Sequence, residues 1–357
     1  MATIIPVKRK KGTGYQVVIR TKGHDPLKRT FNTKGEARQW ANEQESLIYA
    51  KRYRDPRLAE MVTIGDALQK YIEKVSSRKA ASTHDREKHS RRHLVRILGE
   101  DTSLAAITTS VVSQYQDIRI DEEASSSSIR QELCLLSRLF EKARKEWEIP
   151  VQNPVDDVER VPPGHGRTRF LTREEAEIIV RESKAARNKR FFPFVILLMH
   201  SGMRTGEAAR LRKDDVNLDE HTITITRTKS GRPRTIPLTD AAAEALKTID
   251  TDDYFFLKPN HLASHHIMLR PGCIFRECWT RLHERLEKQG IAIEHFTVHD
   301  LRHTAASHLL MAGVDIRVVA DILGHSTLQM AMRYTHLLGI YKKDIIDKIG
   351  RLGLEEE

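Results

Sequence analysis

The chemistry-bearing residues of this chain gather toward its C-terminal end. His299-Asp300-Leu301-Arg302-His303-Thr304 is followed by Leu323-Gly324-His325-Ser326 and then by Arg333-Tyr334. Three residue types recur. Arginine is a fork of donors that matches phosphate oxygens and keeps its charge. Histidine donates or shuttles a proton near neutral pH. Tyrosine is a covalent nucleophile wherever its neighbours stabilise the phenolate and the group it attacks. Alone, each is an ordinary core or surface residue. With Arg204 and Lys229 upstream, the set suits phosphoryl transfer. Attack on phosphorus piles negative charge onto the non-bridging oxygens, where one well-placed donor contributes about 3 kcal/mol. Arg204 and Arg302 are two candidate donors. His299 and Arg302 are three apart, on one face of an expected helix. Lys229, on an expected hairpin, is a cation able to protonate a leaving oxygen.

These residues need a scaffold. The pattern predicts a multidomain, mainly α chain in three parts: residues 1–55, 62–152 and 169–357. The first is a small β3-α module, with strands over 4–7, 14–20 and 28–31 punctuated by Gly12, Gly14, Gly23 and Pro26. Thr33 and Glu36 form a capping box that opens a helix running to residue 50. Polar, basic residues 51–57 read as a linker. The second part is a four-helix domain over 64–75, 83–98, 111–120 and 128–147, with apolar residues at helical spacing and a capping box at Ser128 and Gln131. Pro154, Pro162, Pro163, Gly164 and Gly166 mark a boundary. The third part is mixed α+β. Thr172 and Glu175 cap a helix, 192–200 is a buried apolar helix, and 221–228 pairs with 234–238 as a hairpin with a basic tip.

Composition bounds the function. With 39% hydrophobic and 31% charged residues, the chain reads as soluble and globular. No apolar run approaches the ~20 residues of a membrane helix, and no signal peptide is evident. Three cysteines without a CxxC pair suggest reduced thiols and a cytoplasmic protein. The net charge is +11, and residues 1–60, with 14 Lys+Arg against 6 Asp+Glu, hold most of it. Such an excess suits an anionic partner such as nucleic acid. Arg86, Lys88, His89, Arg91, Arg92 and His93 form a second basic run, read either as a DNA-facing or as a solvated face. There is no GxxxxGK[ST] loop and no carboxylate or His/Cys cluster at metal-ligand spacing. No metal or nucleotide cofactor is expected.

At this point the motifs resemble a known family. Ser201-Gly202-Met203-Arg204-Thr205-Gly206-Glu207, Lys229 on the hairpin, His299-Asp300-Leu301-Arg302, Leu323-Gly324-His325 and Arg333-Tyr334 look like the catalytic domain of the tyrosine recombinases, or phage integrases. The spacings agree: Arg302 to Tyr334 is 32 positions and His325 to Tyr334 is nine. Residues 62–152 resemble the family's helical, SAM-like core-binding domain, and 1–55 the arm-site-binding module of temperate-phage integrases. The resemblance implies that Arg204 and Arg302 hold the scissile phosphate and that Lys229 is the general acid for the 5′-oxygen. It also implies that His299 and His325 hydrogen-bond the phosphate and assist proton transfer, that Tyr334 is the nucleophile, and that Glu207 supports Arg204. His303 and His336 receive no role and read as structural. An amphipathic segment after Tyr334, with Ile340, Ile345, Ile349 and Leu352, resembles the tail helix that docks on a neighbouring subunit. The implied partners are double-stranded DNA at core and arm sites, a homotetramer on DNA, and accessory DNA-bending or directionality factors.

The expected activity is site-specific recombination through a 3′-phosphotyrosyl intermediate and a Holliday junction, integrating or excising a mobile element. The alternatives are an inversion or resolution recombinase of the same family, a type IB topoisomerase-like enzyme, and a DNA-binding regulator with vestigial chemistry.

Overall fold

The computed structural model of this chain describes residues 2–9, 12–20, 26–50, 54–55, 57–164, 169–226, 233–257 and 274–335. Lys229 and the tail segment beyond Thr335 lie outside the described residues. Backbone contacts divide the chain into Met1–Gly164 and His165–Glu357.

The first unit begins with an antiparallel sheet of β1 (Ala2–Arg9), β2 (Gly12–Ile19) and β3 (Leu27–Phe31), in that order. Helix α1 (Lys34–Tyr49) starts as the capping box requires: the Thr33 hydroxyl accepts from Glu36 N–H and the Glu36 side chain answers on Thr33 N–H. Val17 and Ile19 alternate onto one face of the central strand, and Ala37 and Ala41 of α1 bury against them. Lys8, Lys28 and Arg29 remain exposed on the strands.

Helices α2 (Arg57–Met61), α3 (Ile64–Lys74), α4 (Ala81–Leu98), α5 (Thr109–Asp121) and α6 (Ser126–Lys145) enclose a second core, with Leu68, Leu94, Leu133, Leu136 and Phe140 at its centre. Two local expectations change. The short α2 starts at Arg57, the last residue of the expected linker, and runs on to Met61. The cap of α6 is Ser125, whose hydroxyl accepts from Ser128 N–H, while Gln131 reaches Ser127 instead of Ser128. In a run of serines each is a competent cap, and the helix lengthens to the earliest one because each added residue adds a backbone bond. The proline-marked stretch contributes Val151, Val155 and Val158 to the same core. Arg86, Lys88, His89 and Arg92 of α4 are exposed, opposite buried Glu87, Ser90 and Leu94.

The second unit is built around α8 (Phe191–Ser201), apolar nearly all round and buried along its length. It packs against α7 (Arg173–Lys184), α10 (Asp240–Lys247) and α12 (Val298–Met311). The hairpin strands β5 (Thr222–Ile225) and β6 (Arg234–Pro237) gain a third partner, β4 (Val216–Asn217). The remaining α-helices among the described residues are α9 (Thr205–Ala209), α11 (Arg276–Lys288), α13 (Ile316–Leu323) and α14 (Gln329–Met332). Thr297 and Asp300 form a capping box at the start of α12, which fixes where its polar first turns face.

Candidate active site

Two helix ends frame the site. Helices α8 and α13 both terminate at a glycine in the left-handed conformation, Gly202 and Gly324, each with φ 62°. A left-handed C-cap turns the chain away and leaves the last carbonyls without helical partners, at the negative end of the dipole. Arg302, only 4% exposed, joins the two ends: Nη1 donates to Gly202 O and Nη2 to Leu323 O, both at 2.7 Å. Arg204 donates through Nη2 to Gly324 O at 2.8 Å. Both guanidinium groups are thus aimed by backbone carbonyls.

A buried carboxylate sets the second arginine. Glu207 Oε1 accepts from Arg204 Nη1 at 2.9 Å, and Glu207 Oε2 accepts from Arg204 N at 3.0 Å. The same carboxylate takes a bidentate pair from Arg234 of β6, at 2.7 and 3.2 Å. Arg234 also donates to Ile322 O at 3.1 Å, tying the sheet to the end of α13. Sequence reasoning placed residue 234 at the start of a hairpin strand and gave it no role. The overlooked signal was strand alternation, since Arg234 shares a strand face with buried Ile236.

The imidazoles and the tyrosine lie beside these arginines. His299 and His303 meet edge to face, ring centroids 4.9 Å apart, on successive turns of α12. The Tyr334 hydroxyl is 2.6 Å from His303 Nδ1, and both side chains are buried. His303 was expected to be structural, and the structure places its Nδ1 against the tyrosine oxygen. The half-buried His325 follows the α13 cap, and its Nδ1 is buried without a hydrogen bond among the described residues. Arg204, Glu207, His299, Arg302, His325 and Tyr334 are therefore gathered in one place. Among the described residues no group of three or more His, Cys, Asp or Glu is placed to hold a metal ion, and no helix is long and apolar enough to cross a membrane.

Residues 169–339 match the phage integrase family. A shufflon-specific DNA recombinase of Escherichia coli is 31% identical over 292 residues, spanning 79% of this chain and 71% of that protein. The chain belongs to the phage integrase family. Members are tyrosine recombinases, and this one is a site-specific recombinase, an enzyme that cleaves and rejoins DNA. The integrase of Escherichia phage P2 is 28% identical over 265 residues, 73% of this chain and 72% of that one. A lambda integrase, solved as a tetramer bound to a Holliday junction, shares the fold with a TM-score of 0.62 at 20% identity, covering 89% of this chain and 92% of its own.

The electrostatics of this integrase-family site follow from burial beside clustered cations. Burial, then Arg204, pulls Arg302 down to about 10. Burial lowers His303 to about 4, reinforced by His299, Arg333 and Arg302 and opposed by Asp300. His325 is also lowered to about 4, by burial and then by Arg302 and Arg204. Burial and Arg302 lower His299. Burial pushes Tyr334 up, against the pull of Arg302 and Arg333. The histidines are neutral at pH 7 and the phenol is protonated. An anion bound between the arginines would oppose their part of these shifts.

Proposed function

We propose that Tyr334 attacks a phosphodiester of duplex DNA held by Arg204 and Arg302. The observation that carries this reading is the pair of arginines aimed by two helix ends beside a buried tyrosine. Their guanidinium groups stabilise charge on the non-bridging oxygens without reorganising, the condition under which such donors act most strongly. His299 and His325, neutral donors, complete the phosphate shell. Tyr334 Oη bonds to phosphorus as the P–O5′ bond breaks, and Lys229 protonates the departing 5′-oxygen. The 3′-phosphotyrosyl link conserves the ester energy, so the reaction runs without metal or nucleotide. Attack by a 5′-hydroxyl from a second duplex reverses the step and exchanges strands through a Holliday junction.

In this reading residues 169–357 are catalytic and 62–152 bind the core site, with the exposed basic residues of α4 toward DNA. Residues 1–55 bind separate arm sites through the basic strands. The enzyme works in the cytoplasm as a homotetramer on DNA, its tail segment joining neighbours, with accessory bending or directionality factors. It integrates and excises a mobile element. The relative named as shufflon-specific supports a second reading, rearrangement of a segment within one DNA molecule.

The test uses a nicked duplex, selected from a randomised pool for tight binding, incubated with EDTA and without ATP. A covalent adduct mapped to Tyr334 and absent in Tyr334→Phe is expected. Tight, salt-dependent binding without any adduct would favour a DNA-binding regulator. Joining of two separate duplexes, against inversion between sites on one, separates the two recombinase readings.

A further inference from the structure

We propose that His303 takes the phenolic proton of Tyr334 as the tyrosine attacks. This rests on the reading of Tyr334 as nucleophile. The contact is direct: Nδ1 and Oη are 2.6 Å apart, with His303 4% exposed and Tyr334 2% exposed. Proton transfer in this direction uses the tautomer in which the hydroxyl donates to a bare Nδ1 and the imidazole proton is on Nε2. Among the described residues no other side chain hydrogen-bonds this oxygen. Of the other two site histidines, His299 meets the ring of His303 edge to face, and His325 Nδ1 has no hydrogen bond among the described residues.

Placement on the helix supports the assignment. Arg302 and His303 are adjacent on α12, about 100° apart around its axis. Arg302 turns to the carbonyls of Gly202 and Leu323 while His303 turns to Tyr334. One buried turn thus carries a phosphate ligand and the proton acceptor, which fixes their spacing. The groups facing His303 are His299, Asp300, Arg302, Arg333 and Tyr334. A phosphodiester bound by the arginines opposes the effect of Arg302 and Arg333, so substrate makes His303 more basic when it must act. In the forward step Oη–P forms, P–O5′ breaks, the phenolic proton moves to Nδ1, and the 5′-oxygen takes its proton from Lys229. In rejoining, the imidazolium returns that proton to Oη as it leaves phosphorus.

The test separates nucleophile from leaving group. A duplex whose scissile 5′-oxygen is replaced by sulfur has a leaving group that needs no proton. His303→Asn places an oxygen near the Nδ1 position and keeps the hydrogen bond but takes no proton. Single-turnover cleavage by His303→Asn should fall on the order of a hundredfold or more on both oxygen and sulfur duplexes, with binding unchanged. Sulfur should relieve a Lys229→Ala defect and leave the His303→Asn defect in place. Cleavage of the sulfur duplex by His303→Asn within about threefold of the parent, or relief of its defect by sulfur, overturns the proposal. Should the variant fail to fold, ¹⁵N NMR of the parent imidazole decides: bare Nδ1 with protonated Nε2 supports the assignment, and protonated Nδ1 overturns it. If the parent protein cleaves the sulfur duplex without a Tyr334 adduct, the nucleophile reading itself fails, a result distinct from any defect of the variant.

Discussion

Replacing Glu207 by glutamine keeps the size of the side chain and removes its charge. The carboxylate accepts from four donors, Arg204 N, Arg204 Nη1, Arg234 Nη1 and Arg234 Nη2, at 2.7 to 3.2 Å. A glutamine amide has one acceptor oxygen, so whichever way it turns, its NH2 group faces donors. Glu207 and Arg234 are 6% and 7% exposed as side chains, and breaking a buried pair costs about 3–5 kcal/mol. Arg204, at 25%, keeps access to water. That places the expected loss near the lower end, at about 3 kcal/mol. Urea unfolding of the full chain measures it. Trp279 is the only tryptophan in residues 165–357, so fluorescence in a Trp40→Phe, Trp147→Phe background reports the unit that holds the site. The pH dependence supplies an internal check. Burial acts to raise the Glu207 carboxyl, but the hydrogen bonds and charge of Arg234 and Arg204 hold it below 4.5. Its contribution is full above 4.5 and is lost as pH falls through the lower folded-state value, so parent and variant should converge in acid. A loss under about 0.5 kcal/mol at pH 7 would refute the idea that this carboxylate holds the arginines in place.

Gly324→Ala puts a Cβ 2.6–2.9 Å from the Arg234 guanidinium in a left-handed residue, while Gly290→Ala has a similar φ of 66° and meets nothing. Thermal melts should show the ~1–2 kcal/mol backbone cost in both and a further loss only at Gly324. His303 titrates near 4 in the folded chain instead of 6.5. The unfolded chain therefore binds the proton first, and stability should drop by about 3 kcal/mol as pH falls from 6.5 to 4, a drop that His303→Asn flattens in melts across that range. Arg302→Lys leaves one ammonium where a fork bridged two carbonyls. Denaturant titration should show a loss of about 1–3 kcal/mol, with Tyr334 adduct formation slowed on the order of a hundredfold.

Much of the local structure was readable from short-range chemistry. The caps at Thr33 and Thr172 span three residues, so the sequence that makes them also announces them. The pairing of Arg204 with Glu207 was expected from the family resemblance alone, although the two stand three apart at the start of α9. The apolar period of α6 and the continuous apolar run of α8 predicted elements whose ends moved by only a few residues. Where several caps were equivalent, as in the serine run before α6, the pattern named the wrong one. Spacing and order alone placed Arg302, His325 and Tyr334 in a shared motif without saying what any of them touches. Three contacts belong to the tertiary structure alone. Arg234 reaches Glu207 across 27 positions, Arg302 joins the ends of α8 and α13, and His303 meets Tyr334 across 31. No helical or strand period relates residues so far apart. Helix α12 hides them further, because Asp300, Arg302, His303 and Thr304 are all buried and exposed His299 stands alone rather than on a polar stripe that would mark which side looks inward. Local hydrogen bonds and apolar periodicity determine the elements, whereas the partners of buried polar groups are decided only when the packed elements leave each donor one acceptor within reach.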